Sequence, residues 1–223
     1  MSVGVHPQVR IAVRPYGSVV PLGFLAFGIG MFMYAAQDVE WVKPAEGHTV
    51  GLMLAAFVAP LEGLAAILAF LARDTMAGVA LGLFTGSWLV TGLLTMQAAP
   101  GRLSAADGYF LIAFTIVVLL LALVGWLGQP LIAALLTVSA ARGASAAVYQ
   151  LGGGRGWNQA AGWIALGVFC VAMYGGLAFL LEDARGRAVL PLGRRGSSRE
   201  AIEGDLDVQL AGLAGEPGVR KHL

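Results

Sequence analysis

The chain has 223 residues, of which 58% are hydrophobic and only 12% are charged, and its formal net charge is +1. A soluble domain of this length carries roughly twice that share of charged residues, so the composition excludes an ordinary soluble fold. The few charges lie in loops and tails, and no basic patch interleaved with aromatic residues supports binding to nucleic acid.

Six apolar stretches follow one another along the chain, and each is long enough to cross a bilayer core of about 30 Å as a helix. Their continuous pattern favours helices over a membrane β-barrel, because a barrel strand would alternate apolar and polar residues. The predicted fold is therefore an all-α integral membrane protein, a six-transmembrane-helix bundle. The predicted helices cover residues 19–37, 50–71, 76–97, 108–127, 130–150 and 160–181.

Basic residues predict the orientation of this bundle, because short loops rich in arginine and lysine stay on the cytoplasmic side. Arg10 and Arg14 precede the first helix, Arg73 lies between the second and third, and five arginines follow the sixth. An even number of helices places all of these residues on one side. Both termini are therefore predicted to be cytoplasmic, in a multi-pass protein of the cell (plasma) membrane.

The same reasoning divides the chain into three parts: a cytoplasmic N-terminal segment (1–17), a six-helix transporter domain (18–193) and a cytoplasmic tail (194–223). Two structures are open for the tail. Apolar residues recur there at helical spacing, which suits an amphipathic helix docked on the bundle. Gly204, Gly212 and several acidic residues favour disorder instead.

Glu62 interrupts the second apolar stretch, two residues after Pro60. An ionised carboxylate at this depth is costly unless it is paired or solvated, so such residues usually face a polar cavity. One interpretation is a protonatable group that couples proton movement to anion movement. The other is a structural carboxyl group that forms a hydrogen bond with a neighbouring helix.

Gly78, Gly82 and Gly86 fall four residues apart on the third helix. Small residues at this spacing let another helix approach closely, which matters in lipid because no hydrophobic effect drives helices together. Gly78 and Gly82 are therefore predicted to lie at a helix-packing surface.

Arg142 lies about a dozen residues into the fifth helix. In one interpretation its guanidinium group lines an outer vestibule and attracts a carboxylate, for which it offers a bidentate fit. In the other it snorkels to the interface or pairs with a glutamate. The sequence does not decide whether Glu62 is that partner.

No pattern predicts catalysis. The three histidines lack the spacing of metal ligands, and neither a serine–histidine arrangement nor a phosphate-binding loop is present. We therefore expect a protein that is not an enzyme and that binds neither a cofactor nor a metal ion.

Short segments in the first, third and sixth helices resemble the signatures of the acetate uptake transporter family. The first helix contains Pro21-Leu22-Gly23 and then Phe27-Gly28, although the family's preceding Asn-Pro is missing. Thr85-Gly86-Ser87 aligns with a Tyr-Gly-Ser/Ala stretch, with the tyrosine lost. The sixth helix begins with Ala161-Gly162-Trp163, and Pro191-Leu192-Gly193 follows it.

The resemblance implies six-helix protomers that assemble as hexamers, each with its own pathway through a constriction of phenylalanine, tyrosine and leucine. On this chain these positions correspond to Phe27, Thr85 and Leu136. Threonine in place of the tyrosine would widen the constriction, which leaves room for a longer or more polar acid. Ser87 and Arg142 would be further polar groups on the pathway. From the residues alone, Phe27 and Leu136 are equally consistent with ordinary packing.

The expected function is a membrane transporter or channel for small monocarboxylates such as acetate, with proton coupling (symport). The expected partners are the carboxylate, protons, the lipid bilayer and further copies of the chain in a homo-hexamer, with no nucleic acid. Two alternatives are open. One is a passive channel for a small neutral solute such as ammonia or undissociated acid, in which Glu62 is structural. The other is a non-transporting membrane scaffold or sensor.

Overall fold

The computed structural model describes residues 17–99, 101–196 and Arg199. Arg10, Arg14 and the tail beyond these residues lie outside the described part. Within it the chain forms α-helices and short helical turns, and no strand. The helices are α1 (Val20–Asp38), α2 (Gly47–Met53), α3 (Ala59–Leu71), α4 (Thr75–Gln97), α5 (Ala105–Gly125), α6 (Pro130–Gln150) and α7 (Arg155–Arg185).

Six helical units in the described residues are long and apolar enough to cross a membrane. Five are single helices, and the sixth is the continuous stretch Pro44–Leu71, which contains α2 and α3. The predicted all-α six-helix bundle is thus confirmed. The largest difference is at α7, which includes Arg155 and Arg185 beyond the predicted 160–181. Hydropathy does not detect such ends, because polar residues continue the helix outside its apolar part.

The second span is not a uniform helix. Between α2 and α3, Leu54–Val58 forms a π-helical turn. Pro60 has no backbone N–H, and in a regular α-helix its ring would collide with the carbonyl group of Ala56. The wider turn accommodates the proline without ending the helix. The first turn of α3 then places Glu62 on its buried side.

Helix α1 lies in the middle of the bundle, where it packs mainly on α7 and also contacts α3 and α4. The other main contacts join α5 to α6, α6 to α7, α3 to α4 and α2 to α4. At the α2–α4 contact the two backbones touch, since a Cβ atom at Gly92 would lie 2.8 Å from the carbonyl oxygen of Gly51. Close approach of this kind gives van der Waals contact where lipid offers no hydrophobic drive.

Only part of the predicted glycine surface on α4 packs within the protomer. Gly78 lies against the ring of Phe70, and a Cβ atom there would come within 2.9 Å of it. Gly82 has only the methyl group of Ala66 nearby, at 3.9 Å from such an atom, and Gly86 has nothing within 4 Å. Gly82 and Gly86 are exposed on the outer face of the bundle.

The segment after α7, residues 187–195, folds back on the bundle, and we call it the C-terminal strap. The Tyr174 hydroxyl donates to the Pro191 carbonyl at 2.8 Å, and the Arg195 N–H donates to the Gly128 carbonyl at 3.2 Å. Leu192 is buried in the apolar core. The strap thereby closes one end of the bundle.

Both ends of the described chain lie at this closed end. A cavity of about 460 Å³ there is lined by Ser18 and Val20 from the start of the chain and by Asp183 and Arg194 from its end. The common side of the two ends agrees with an even number of spans. That this side faces the cytoplasm stays a prediction.

Candidate functional site

A column of aromatic rings fills the bundle between α1 and α4. Phe27 packs edge-on against Phe84 and Trp88, with centroid distances of 4.8 and 5.7 Å. Trp88 stacks on Tyr34 at 5.2 Å. Gly30 makes room for the indole, because a Cβ atom there would lie 2.7 Å from it. All four rings are buried, so the centre of the bundle is a narrow, apolar zone.

Arg142 reaches from α6 to the Tyr34 end of this column. Its guanidinium carbon lies 3.9 Å from the centroid of the Tyr34 ring, and its Nη2 donates to Asp38 Oδ2 at 2.9 Å. The two charged side chains are only 10% and 9% exposed. The hypothesis of a snorkelling or glutamate-paired arginine is therefore wrong: Arg142 is buried and pairs with the aspartate that ends α1.

The Arg142–Asp38 pair leaves hydrogen-bonding capacity unused. Arg142 Nε is buried and has no hydrogen-bond partner. Asp107, in the first turn of α5, is close enough to interact electrostatically with the same guanidinium, and its Oδ1 is also buried without a hydrogen bond. Arg142 thus pairs with one carboxylate, lies within electrostatic range of a second and keeps at least one free donor.

A cavity of about 30 Å³ lies among α1, α4, α5 and α6, next to Arg142. It has room for about two water molecules. Its polar lining consists of Tyr34, Ser87, Thr91, Thr115, Ser139 and Arg142. The Tyr34 and Thr91 hydroxyls share a hydrogen bond, whereas the buried Thr115 hydroxyl has no partner. The cavity therefore joins the aromatic column to a cluster of hydrogen-bonding groups.

Glu62 is fully buried, with an exposed fraction of 0%. Neither carboxyl oxygen accepts a well-formed hydrogen bond, but the Trp88 indole N–H lies near enough to the carboxyl group to act as a donor to it. Glu62 is not among the residues that line the cavity, but Trp88 is. The carboxyl group therefore neighbours the cavity through the indole of α4, a contact that is consistent with both the structural and the proton-coupling interpretation.

Of the predicted constriction residues, Phe27 and Leu136 share one apolar core, whereas Thr85 is oriented towards α3. Phe27 lies in the aromatic column, and Leu136 is buried in the same apolar core without lining the cavity. The Thr85 hydroxyl donates to the Leu81 carbonyl at 2.8 Å, and its methyl group lies beside Gly63 of α3. The ring that faces Phe27 from α4 belongs to Phe84.

The matching motif residues of α1 have packing roles. Pro21 lies in the first turn, where its missing N–H costs nothing, and Leu22 packs beside a cluster that contains Ala65. Gly23 allows Leu81 of α4 to approach, and Gly28 allows contact with α7, where a Cβ atom would lie 3.3 Å from that of Ala172. These residues therefore fix the position of α1.

Sequence reasoning missed Tyr34, Asp38, Phe84 and Trp88 as members of the site. A usable signal was present, because Phe27, Met31, Tyr34 and Asp38 fall at the spacing of one helix face, as do Phe84, Trp88 and Thr91. The residues that share a helix face with Phe27 or Ser87 include the aromatic and polar residues of the site. The pairing of Asp38 with Arg142 is a contact across the fold, and no local pattern predicts it.

Comparison with known proteins supports this fold. No family model matches the chain, and no curated protein matches its sequence. Among solved structures the chain is similar to the bacterial acetate channel SatP, with 19% sequence identity and a TM-score of 0.73. The match covers 80% of this chain and 99% of that one. At this identity the likeness establishes the fold, which the two proteins share.

Proposed function

We propose that this chain is a divergent member of the acetate uptake transporter family and forms a membrane channel or transporter for small monocarboxylates such as acetate. The observation that carries the proposal is the buried Arg142 guanidinium beside a hydroxyl-lined cavity, at one end of an aromatic column. This arrangement occurs in a fold shared with a protein described as an acetate channel.

The chemistry of the cavity suits a small carboxylate. Its negative end needs a few strong donors, and a guanidinium provides them in the planar arrangement that a carboxylate accepts. Its methyl end can pass between the aromatic rings. A hydrated inorganic ion cannot, because the rings have no polar groups that could replace its hydration shell. The order of groups from Arg142 through Tyr34 and Trp88 to Phe27 thus matches the order of polar and apolar atoms in the substrate.

The position of Phe84 supports a small substrate. Thr85 in place of a tyrosine suggested a wider constriction, but the Phe84 ring lies against Phe27. The Phe27–Phe84 pair therefore makes the pathway narrow at this depth of the bundle, and Thr85 does not contribute to it. Acids of acetate size fit this arrangement better than longer ones.

Glu62 is the residue that we propose to carry the accompanying proton. Its complete burial and the lack of a well-formed hydrogen bond to either oxygen support a group that gains and loses a proton. Trp88 lines the cavity, and its indole N–H can donate to the carboxyl group. A proton on Glu62 would compensate the charge of an anion that passes the indole.

We also propose that protomers assemble as a homo-hexamer in the plasma membrane, with both termini in the cytoplasm. The exposed Gly82 and Gly86 surface on α4 suits contact with a neighbouring protomer, because nothing within the protomer occupies it at Gly86. Small residues at this spacing permit close helix contact in lipid.

The deciding experiment is uptake into proteoliposomes of labelled acetate, lactate and succinate, with and without an imposed pH gradient. The proposal predicts acetate flux above that of empty liposomes. Absence of flux for all three acids would contradict it. Flux that does not respond to membrane potential would favour the passive channel for a neutral solute.

A further inference from the structure

Two arginine–carboxylate pairs in the described residues are largely buried, and they differ in geometry. Arg194 binds Glu182 through a fork, with Nη1–Oε2 and Nη2–Oε1 distances of 2.5 and 2.7 Å. Arg142 contacts Asp38 through Nη2 alone, at 2.9 Å. The fork is the arrangement that uses a guanidinium most fully. The Arg142–Asp38 pair therefore has one hydrogen bond where the Arg194–Glu182 pair has two.

The unused capacity lies at the cavity. Arg142 is 8% exposed and lines the cavity, and its Nε has no hydrogen-bond partner. Thr115 lines the same cavity, and its buried hydroxyl also lacks a partner. Buried polar atoms without partners are rare and costly, so two of them at one cavity indicate a ligand that the pair itself does not supply.

We propose that Asp38 is a resident carboxylate on a binding site for small monocarboxylates, and that the substrate binds Arg142 by exchanging with it. The substrate class comes from the proposed function, on which this inference rests. The bound acid would take the fork of Arg142 that Asp38 fills only in part, with the Thr115 hydroxyl as a further donor.

Exchange, rather than simple addition, follows from the donors and the charge. Asp38 does not line the cavity, but it occupies Nη2, which a carboxylate needs for a bidentate contact with Arg142. Asp38 already pairs with the guanidinium, so a second carboxylate placed beside it would be repelled. Asp38 is the last residue of α1 and adjoins the exposed residues Glu40 and Trp41. Its side chain can turn towards water at this end of the helix when it leaves.

A resident carboxylate also solves a problem of transport. An arginine buried without a partner is strongly destabilising, and an arginine with an ideal free site would hold its substrate too long. When one carboxylate replaces another, the guanidinium stays paired throughout. The anion can then bind specifically and still leave.

The test is chemical rescue in the Asp38→Ala variant, purified in detergent. Its thermal unfolding is measured in sodium acetate, sodium propionate and sodium chloride at the same pH and ionic strength. We expect lower stability than wild type in chloride, and an acetate-dependent rise of several degrees that is clearly larger than the rise in wild type. The Asp38→Ala/Arg142→Gln double variant should not respond to acetate. Glu40→Ala, which breaks the exposed Arg155–Glu40 pair, is the matched control and should not respond either.

A second variant keeps the test decisive if Asp38→Ala does not fold. Asp38→Asn retains the shape of the side chain and removes its charge, so acetate should bind about tenfold more tightly than to wild type. Unchanged or weaker acetate binding would overturn the exchange. So would a rise in the Asp38→Ala unfolding temperature that chloride or the Glu40→Ala control reproduces.

The two proposals fail separately. Acetate rescue of Asp38→Ala without flux through wild-type protein would support the site and contradict the transport function. Flux without rescue or tighter binding would support transport and contradict the exchange at Arg142.

Discussion

The rings of Phe27 and Phe84 meet edge-on, with their centroids 4.8 Å apart. The resemblance aligned the neighbouring residue, Thr85, with the aromatic position of the constriction. In the structure the methyl group of Thr85 instead lies beside Gly63 of α3, and its hydroxyl donates to the Leu81 carbonyl of α4 itself. One helical position, about 100° of rotation around α4, thus separates a residue beside the cavity from one that faces a neighbouring helix.

We expect Phe84→Leu to broaden selectivity, because a smaller side chain opposite Phe27 widens the narrowest apolar level. Lactate uptake should rise relative to acetate uptake, measured as a ratio in the same proteoliposomes. Thr85→Ala is the matched control, and it should leave the ratio unchanged because Thr85 does not line the cavity. The opposite result, a change with Thr85→Ala but none with Phe84→Leu, would restore Thr85 as the constriction residue.

Glu62→Gln should separate anion movement from proton movement. The amide has nearly the shape of the carboxyl group, but it cannot gain or lose a proton. We expect acetate exchange without a gradient to continue and accumulation driven by a pH gradient to disappear. Folding should be retained, since the amide oxygen of glutamine can still accept from the Trp88 indole. Accumulation equal to that of wild type would rule out the proton role.

Gly30→Ala should be destabilising by about 1–3 kcal/mol, the usual cost of forcing an extra methyl group into a packed core. The new Cβ atom would lie 2.7 Å from the Trp88 ring and would displace it from the column. Thermal unfolding in detergent measures the effect. Gly167→Ala is the control, because nothing lies within 4 Å of a Cβ atom there. Equal stability of the two variants would mean that the column is not tightly packed.

Gly86→Leu should change assembly without changing the fold of the protomer. A Cβ atom at this position meets nothing within the protomer, so the larger side chain is accommodated there. If α4 contacts a second copy through this surface, the mass of the detergent-solubilised complex should fall while helix content stays constant. Gly82→Leu should act in the same way. An unchanged complex would show that this surface faces lipid.

Arg194→Ala should release the C-terminal strap. It removes the forked ion pair with Glu182, which is 19% and 12% exposed, and we expect a loss of about 1–3 kcal/mol in stability. Labelling of a cysteine at position 192 reports the release, because Leu192 is buried. The experiment needs a Cys170→Ala background, since Cys170 is exposed. Labelling at the same rate with and without Arg194 would show that the strap does not depend on this pair.

The sequence predicted the helices better than the site because the two depend on different interactions. A span such as 130–150 is visible in hydropathy alone, and α6 has those bounds. The π-helical turn before Pro60 follows from a local clash but was not predicted, because a helix can respond to proline in several ways. Glu62 and Arg142 stood out in the sequence as charged residues within apolar spans, and both are buried in the structure. Their surroundings, Trp88 and Asp38, depend on how α1, α3, α4 and α6 pack against one another, which one sequence does not contain.

The strap has a mechanical consequence for the far end of the bundle. Gly193 lies against Pro130, the first residue of α6, and Arg142 lies about 18 Å further along the same helix. Because α6 is one continuous helix, we expect a displacement of the strap at Pro130 to tilt the whole helix. The tilt would shift Arg142 relative to Asp38. Acetate binding to the Arg194→Ala variant tests this coupling between the strap and Arg142. An affinity equal to that of wild type would show that the strap does not influence the Arg142 site.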